Sequence, residues 1–484
     1  MTEQPETPAA LPGWVRAADA ASLLSLLAAV WILLTGGSRH FVLGTVISFR
    51  SPLLFTYLAA SVLLVRHVLV PSPSAWGRYQ RWSTALMARP GVGAAVRPFL
   101  ATRLAVFLAG FFAVVAIGTV PKPGFTLSRD PLANLPSRFD AGWYGDIALD
   151  GYHWDNQFQR QRNIAFFPAL PLLMRPVGIV FGMNDRTVPR ERRMLRALWG
   201  GVVVSLAAFL WGLWYLVRVG EELLGEERAA NAALLLAAYP FSYFYGAPYT
   251  ESLFLLGAVG AWYHFRREQW MAASLFGLLA GLSRPNGCFV SVPLGILALQ
   301  HAWTAASARG GRLDPAILRA ATVRLAVAAM PGVGMLLFTA YLYRLSGVWF
   351  AWARSHEAWG RTYHGLAPFA AAFGWLRDEP LMEVVASAPF NTLNAIGLLF
   401  ALALVVPVYR RVGPAWAAFV LLSVGVPLFA GGVLSMGRLT STLFPLFLAL
   451  AAMLPSRSVA SWAAAFGVMQ GLGAALFFTW RELF

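Results

Sequence analysis

Residues 197–217 read ALWGGVVVSLAAFLWGLWYLV and contain no charged side chain. A helix needs about 20 predominantly apolar residues to cross the roughly 30 Å hydrocarbon core of a bilayer. This segment reaches that length, and Arg196 and Arg218 flank it on either side. The segment therefore predicts a helix that spans a membrane.

Comparable apolar segments recur along most of the 484 residues, of which 58% are hydrophobic and 12% are charged. A soluble domain carries a charged fraction of about 25%. We therefore predict an all-α, polytopic membrane protein with about 13 transmembrane helices. The expected spans are 20–36, 52–70, 103–120, 197–217, 229–246, 252–265, 271–283, 288–303, 325–343, 391–408, 413–430, 440–454 and 459–478.

The formal net charge is +16, which in a soluble protein would suggest a nucleic-acid partner. Here the arginines concentrate in loops, as the positive-inside rule and anionic lipids require, so we expect membrane lipids and no nucleic acid as partners. The basic loops near 66–97 and 309–324 are placed in the cytoplasm. By alternation, the loops at about 121–195 and 345–390 are external.

The predicted organisation has three parts. Residues 1–19 form a disordered cytoplasmic tail, residues 20–98 form a helical pair with a basic loop, and residues 99–484 form the main transmembrane domain. The first apolar run lacks a basic n-region and a cleavage site, so we interpret it as a retained helix.

Residues 138–152 read RFDAGWYGDIALDGY and predict an amphipathic interfacial helix. Tyr144 lies on its apolar face, and Asp146 and Asp150 are one turn apart on another face. Asp140 precedes the helix at an N-cap-like position. A purely structural alternative is that Asp140 only caps the helix and the other two aspartates are solvated. Downstream, residues 163–173 (NIAFFPALPLL) predict a re-entrant or interfacial helix rather than a span.

The apolar cores 252–265 and 271–283 are too short for full spans, and polar residues mark their ends. Tyr249, Glu251, Arg284 and Asn286 lie at these breaks. An intramembrane acid is costly unless it is paired or hydrated, which makes Glu251 a functional candidate. The alternative is that Glu251 only stabilises a helix N-terminus.

A planar guanidinium suits phosphate oxygens, so Arg284 and Arg438, both near the outer face, are candidate phosphate ligands. The alternative for both is an interfacial arginine whose head group reaches water. The external loop 345–365 interleaves arginines with aromatic side chains, which suits sugar stacking and phosphate contact but also an ordinary aromatic belt. Its candidates are Trp349, Trp352, Arg354, His356, Glu357, Trp359, Arg361, Tyr363 and His364.

The chain has one cysteine, Cys288, so it has no intramolecular disulfide. No zinc-type Cys/His spacing and no Asp-x-Asp pair occur in the sequence. We therefore predict no metal and no other cofactor.

Taken together, these motifs resemble the GPI mannosyltransferase II (PIG-V-like) family, which belongs to the GT-C membrane glycosyltransferases. The resemblance covers roughly residues 100–450. It rests on the residues Asp140, Trp143, Tyr144, Ile147, Ala148, Gly151, Tyr152, Ala165, Phe166, Phe167, Pro168, Pro171 and Leu172, on Tyr249-Thr250-Glu251-Ser252, and on Arg284 with Asn286-Gly287. The chain departs from the family pattern at Phe139, at His153-Trp154-Asp155 and at Leu439, where the family usually has Trp, an acid and Tyr.

The resemblance implies a GT-C-like domain over 99–484 that transfers a sugar, usually mannose, from a polyprenyl monophosphate to an acceptor hydroxyl, with inversion, on the extracytoplasmic face of the cell membrane. It implies that Asp140 is the base and that Glu251 orients the acceptor or tunes Asp140. Substrate or phosphate contacts are expected from Arg284, Asn286, Arg438, Tyr249, Tyr144, Trp143, Asp146, Arg354 and His356.

The acceptor remains open among a glycolipid, a glycan and a protein. The arginine and alanine bias suggests a bacterial source. Two other functions share the same features. One is a flippase or transporter of a lipid-linked sugar, and the other is an assembly partner without activity.

Overall fold

The computed structural model of the protein describes residues 11–35, 37–42, 45–363, 365, 367 and 378–481. Over these ranges, nine helices are long and apolar enough to cross a membrane, which confirms the predicted multi-pass helical architecture. Numbered in chain order, they are α1 (Gly13–Thr35), α2 (Pro52–Leu69), α4 (Val92–Phe112), α7 (Arg190–Leu224), α11 (Ser291–Ser307), α12 (Pro315–Ser346), α15 (Pro389–Arg411), α16 (Pro414–Gly431) and α19 (Ser456–Phe478). A π-helical turn, Ala113–Ile117, extends α4, and a 3₁₀ helix, Pro285–Val290, leads into α11.

Shorter helices fill the space between the long ones. They are α3 (Ala75–Met87), α5 (Ala141–Asp150), α6 (Ala169–Val180), α8 (Glu226–Ala238), α9 (Glu251–Arg266), α10 (Trp270–Ser283), α13 (Ala351–Ser355), α14 (Leu381–Ser387), α17 (Met436–Ser441) and α18 (Phe444–Met453). Four of the predicted spans correspond to α8, α9, α10 and α18, so the expected number of about 13 transmembrane helices is not confirmed. All four are shorter than the roughly 20 residues that a span needs. Two of them, α9 and α18, are also enclosed by other helices along almost their whole length, and an enclosed helix does not have to match the bilayer thickness.

The N-terminal part of the chain differs from the prediction in two ways. Residues 1–10 of the predicted disordered tail lie outside the described residues, but α1 already begins at Gly13 and includes residues 13–19 of that tail. In addition, β1 (Ser38–Val42) and β2 (Thr45–Phe49) form an antiparallel hairpin that the all-α prediction omitted. The β-branched residues that open β2 favour extended structure, which explains the hairpin.

The break between α8 and α9 begins at Tyr239, which precedes Pro240 and has an extended backbone. Buried polar side chains satisfy the carbonyls that the break leaves without helical partners. Arg103 donates to Ala237 O (3.1 Å), and Gln470 donates to Ala237 O (2.8 Å) and Tyr239 O (3.0 Å). The backbone groups at this break are therefore satisfied by buried protein groups.

The packing order explains how distant segments reach one place. The interfacial helices α5 and α6 lie against α7, α9 packs between α7 and α10, and α10 packs on α12. On the other side, α8 contacts α4, α18 and α19, while α17 contacts α15 and α16. The start of α5, the two helix breaks and α17 consequently meet around one cavity.

Candidate active site

The cavity has a volume of about 1340 Å³ and is lined by residues from both predicted external loops and both helix breaks. One wall is polar and carries Asp140, Arg284, Asn286 and Arg438. Apolar side chains of α12, α16, the turn after α16 and the 3₁₀ helix before α11 form another part of the lining, including Phe289, Met335, Val426 and Leu434. A charged wall next to an apolar wall suits an amphipathic ligand.

Asp140 occupies the N-cap position of α5, but its side chain forms no capping hydrogen bond. The structural alternative for this residue is therefore wrong, because the carboxylate points elsewhere: Oδ2 accepts a hydrogen bond from Arg438 Nη1 at 2.7 Å. The backbone of Asp140 is fixed by Tyr249, whose hydroxyl accepts from Asp140 N (3.0 Å) and donates to Arg138 O (3.1 Å). Phe139 has a φ of +43°, a strained conformation for a bulky residue and one that often occurs at functional sites.

Arg438 connects the two carboxylates of the site. Its Nε donates to Glu251 Oε1 at 2.5 Å, and its Nη1 donates to Asp140 Oδ2. Arg284 Nη1 also donates to Glu251 Oε1, at 3.2 Å. The side chains of Arg284 and Arg438 are only 14% and 11% exposed. They are buried ion-pair partners, and the interfacial alternative for both arginines is wrong.

Glu251 differs from the prediction in its position. Its side chain is 0% exposed and does not line the cavity; it lies behind the arginines. A group in that position cannot contact an acceptor, so the structure contradicts a direct catalytic contact by Glu251. Its second oxygen, Oε2, is buried and has no hydrogen-bond partner within the described ranges. Glu251 instead orients Arg284 and Arg438.

The short helix α17 places Arg438 at the cavity wall. Ser435, before the helix, has a φ of +60°, and Gly437 N donates to Asn394 Oδ1 at 2.9 Å. A Cβ at Gly437 would approach the Phe241 ring within 2.2 Å. The glycine before Arg438 is therefore required by close packing.

The Arg284–Gly287 break has a similar steric basis. Pro285 ends α10, and Arg284 adopts an extended backbone, which directs the chain into the 3₁₀ helix. A Cβ at Gly287 would lie 1.9 Å from Ala280 O, so only glycine allows this approach. Asn286 lines the cavity, and its buried Nδ2 has no partner within the described part of the chain. Cys288 also lines the cavity, and its thiol donates to Pro285 O at 3.2 Å.

Aromatic rings form the wall nearest the first turn of α5. Trp143 stacks on Phe166 with a centroid distance of 5.8 Å, and Trp359 meets both rings edge to face. Tyr144 packs edge to face on Phe166 and lines the cavity as well. Rings of this kind can contact the apolar faces of a sugar.

Asp146 lines the cavity but is already engaged. Its Oδ1 accepts from Arg190 Nη2 (2.6 Å) and its Oδ2 accepts from Asn163 Nδ2 (3.1 Å). Arg190 also pairs with Asp150, which confirms that the two aspartates lie one turn apart. The pair with Arg190 ties α5 to the first turn of α7.

Of the candidates in the external loop, Trp352, His356, Trp359 and Arg361 line the cavity, whereas Arg354 does not. His356 lines the cavity and donates from Nδ1 to Trp352 O at 2.7 Å. Burial lowers the pKa of His356 to about 4, so the imidazole is neutral at pH 7. Arg354 is exposed, lies over the Phe158 ring at 4.5 Å and does not line the cavity. Arg361 lines it instead.

Of the predicted site residues, the structure brings most together at the cavity wall. Those that line it are Asp140, Trp143, Tyr144, Asp146, Arg284, Asn286, His356 and Arg438, and those that do not are Tyr249, Glu251 and Arg354. Trp480 was not predicted; it lines the cavity and packs on Phe139 with a centroid distance of 4.6 Å. His364 of the predicted loop lies outside the described residues. Within those residues, no group of three metal-ligating side chains is present.

Residues 126–349 match the model of the mannosyltransferase (PIG-V) family. This match confirms the resemblance over a segment that contains Asp140, Glu251 and Arg284, whereas Arg361 and Arg438 lie beyond it. The PIG-V match supports a membrane glycosyltransferase and gives no support to the flippase alternative. No curated protein sequence matches the chain significantly.

Among solved structures, the chain is similar to the oligosaccharyltransferase of Archaeoglobus fulgidus. A crystal structure of that protein with Zn and sulfate matches with a TM-score of 0.37 and 12% identity, over 77% of this chain and 53% of the other. The same organism's oligosaccharyltransferase AglB, in complex with an inhibitory peptide and a dolichol-phosphate, matches with a TM-score of 0.39 and 12% identity, over 79% and 55%. The chain thus spans about half the length of the solved structures that it matches.

Proposed function

We propose that the chain is a membrane mannosyltransferase that moves a sugar from a polyprenyl monophosphate donor to an acceptor hydroxyl, with inversion, on the extracytoplasmic side of the membrane. The observation that carries the proposal is the 2.7 Å contact between Asp140 and Arg438 at the cavity wall. This contact supports the proposal because it joins a carboxylate suited to act as a base to a guanidinium suited to bind phosphate. The PIG-V match supports the reaction class.

In the proposed reaction the acceptor oxygen forms a bond to C1 of the donor sugar. The bond between C1 and the phosphate oxygen breaks, and its electron pair stays on the phosphate. The acceptor proton goes to Asp140, since a positioned carboxylate within hydrogen-bond reach can act as a general base. The products are the glycosylated acceptor and polyprenyl phosphate.

Arg284 and Arg438 stabilise the negative charge that develops on the leaving phosphate, so the proposed step needs no metal. Arg438 Nη1 is bonded to Asp140. A donor phosphate that takes this N–H would leave Asp140 Oδ2 available for the acceptor proton. Glu251 holds both guanidiniums from behind the wall and is therefore a positioning residue.

The apolar part of the lining would accommodate the first units of the polyprenyl chain. Phe289 and Val426 belong to the same cavity as Arg284, and Val426 is half-exposed on α16. The aromatic wall of Trp143 and Trp359 would contact the acceptor. The acceptor remains a glycolipid, a glycan or a protein, and the bacterial source stays a prediction.

The test is sugar transfer by the purified full-length protein in nanodiscs, with polyprenyl-phosphate mannose and candidate acceptors, and with products identified by mass spectrometry. Asp140→Asn should lower turnover at least about 100-fold, the scale of general-base catalysis. Asp150→Asn is the matched control, because Asp150 lies on the same helix but outside the cavity; it should retain turnover.

Turnover by Asp140→Asn at the wild-type rate would overturn the assignment of the base. A second outcome is that the wild type transfers no sugar and moves unchanged labelled lipid between leaflets. That result would overturn the proposed enzymatic function in favour of a flippase.

A further inference from the structure

Arg361 is a third guanidinium at the wall that carries Arg284 and Arg438. It lies in the loop between α13 and α14, beyond the segment that the family model matches. Its side chain is partly buried and donates from Nη2 to Leu434 O at 3.2 Å. A Cβ at Gly431 would lie 3.3 Å from Arg361 Cγ, so the end of α16 holds this arginine closely.

The charge environment of Arg361 differs from that of the other two arginines. Arg284 and Arg438 pair with carboxylates, whereas Arg361 forms no ion pair with any described residue. Burial and then the guanidiniums of Arg438 and Arg284 lower the pKa of Arg361 to about 10, and the carboxylate of Asp140 offsets only part of this shift. It stays protonated at neutral pH. A partly buried cation among like charges is unfavourable unless an anion binds beside it.

We infer that Arg361 binds the phosphate of polyprenyl phosphate, and that it does so most strongly after the sugar has left. This inference rests on the proposed function. Three guanidiniums face the carboxylates of Asp140 and Glu251, which leaves one excess positive charge for the singly charged phosphodiester of the donor.

Sugar transfer changes the charge of the phosphate by one and the net charge of the surrounding side chains by one. The electron pair of the broken C1–O bond stays on the phosphate, so the diester becomes a monoester that carries up to two negative charges, since its second pKa is about 6. Asp140 takes the acceptor proton and becomes neutral. The three guanidiniums and two carboxyl side chains then have a net charge of +2. This charge matches the two negative charges of the leaving polyprenyl phosphate.

The matched control is Arg354, which lies in the same loop but is exposed over Phe158 and does not line the cavity. The experiment measures binding of polyprenyl phosphate to full-length protein in nanodiscs of zwitterionic lipid. Arg361→Gln should weaken binding at least about tenfold, because it removes a charge-assisted hydrogen bond to the phosphate. Arg354→Gln should stay within about twofold of the wild type.

A second probe tests the charge argument. The methyl diester of polyprenyl phosphate carries one negative charge, so Arg361→Gln should weaken its binding less than that of the monoester. Equal binding of the monoester by Arg361→Gln and the wild type would overturn the inference. If Arg361→Gln weakens binding of the monoester and of the methyl diester equally, the inferred preference of Arg361 for the product is overturned.

These outcomes are separable from failure of the proposed function. If the wild type transfers sugar and Arg361→Gln binds polyprenyl phosphate normally, the enzyme assignment stands and the inference fails. If the wild type binds polyprenyl phosphate through Arg361 but transfers no sugar to any acceptor, the phosphate site stands and the proposed reaction fails.

Discussion

At the scale of single residues, the most consequential side chain is one that no ligand would touch. Glu251 is fully enclosed and accepts hydrogen bonds from Arg284 and Arg438 through one oxygen. Removing one partner of a buried ion pair leaves the other charge uncompensated, at a cost of about 3–5 kcal/mol. The position of both arginines therefore depends on this carboxylate.

Glu251→Gln should lower the thermal unfolding temperature in detergent and reduce sugar transfer at least about tenfold. The amide keeps the shape of the side chain but not its charge, so the guanidiniums lose their common partner. Glu268→Gln is the control, because Glu268 pairs with Arg324 at a side chain that is 60% exposed, and exposed pairs contribute about 0–1 kcal/mol. An unfolding temperature of Glu251→Gln equal to that of Glu268→Gln would contradict this role.

At the scale of elements, the 3₁₀ helix Pro285–Val290 depends on a close approach to α10. Gly287 allows this contact, because a Cβ would lie 1.9 Å from Ala280 O and must displace backbone. The displaced segment carries Asn286 and follows Arg284 directly. A methyl group at position 287 should therefore disturb the polar wall of the cavity without changing any polar residue.

Gly287→Ala should destabilise the protein and weaken binding of polyprenyl phosphate. Gly295→Ala, in α11, is the control, because nothing lies within 4 Å of a Cβ there; it should be neutral or slightly stabilising, since alanine favours a helix by up to about 1 kcal/mol over glycine. Thermal unfolding and ligand binding of the two variants would be compared side by side. Equal behaviour would show that the close approach is not required.

At the scale of the whole molecule, the N-terminal helices are held together by a separate charge cluster. Asp19 of α1 accepts from Arg66 Nε of α2 at 2.9 Å and pairs with Arg78 of α3. Arg66 is fully buried and also donates to Val70 O and Pro73 O. None of these residues lines the cavity. This cluster stabilises the fold independently of the candidate active site.

Asp19→Asn should therefore lower the unfolding temperature, since it weakens the only carboxylate partner of Arg66 among the described residues. Sugar transfer measured well below that temperature should remain at the wild-type level. Asp155→Asn, which breaks an exposed pair with Arg162, should change neither quantity. Loss of transfer by a folded Asp19→Asn protein would instead show that the N-terminal helices act on the cavity.

Much of the fold could be predicted because hydrophobic length and proline position are local properties. The predicted apolar core 252–265 corresponds to Glu251–Arg266, and the core 271–283 corresponds to Trp270–Ser283. The number of transmembrane helices could not be predicted in the same way, because apolar residues line a lipid-facing helix and an enclosed helix alike.

The site was predictable in composition but not in arrangement. Asp140 and Arg438 are 298 positions apart in the sequence, so their contact depends on packing across the whole bundle. The loop that carries Arg354 and Arg361 has no regular period, and the sequence does not show which arginine faces the cavity. Strained residues such as Phe139 and Ser435 carry no strong local signal either, because tertiary contacts stabilise them.

The single cysteine of the chain offers a direct way to observe the cavity. Cys288 lines it, one residue after Gly287 and two after Asn286. A thiol-reactive fluorophore or spin label would therefore attach at one native position, with no cysteine to remove and none to introduce. Protection of this thiol from the reagent by bound lipid would give a binding assay that needs no radioactive donor.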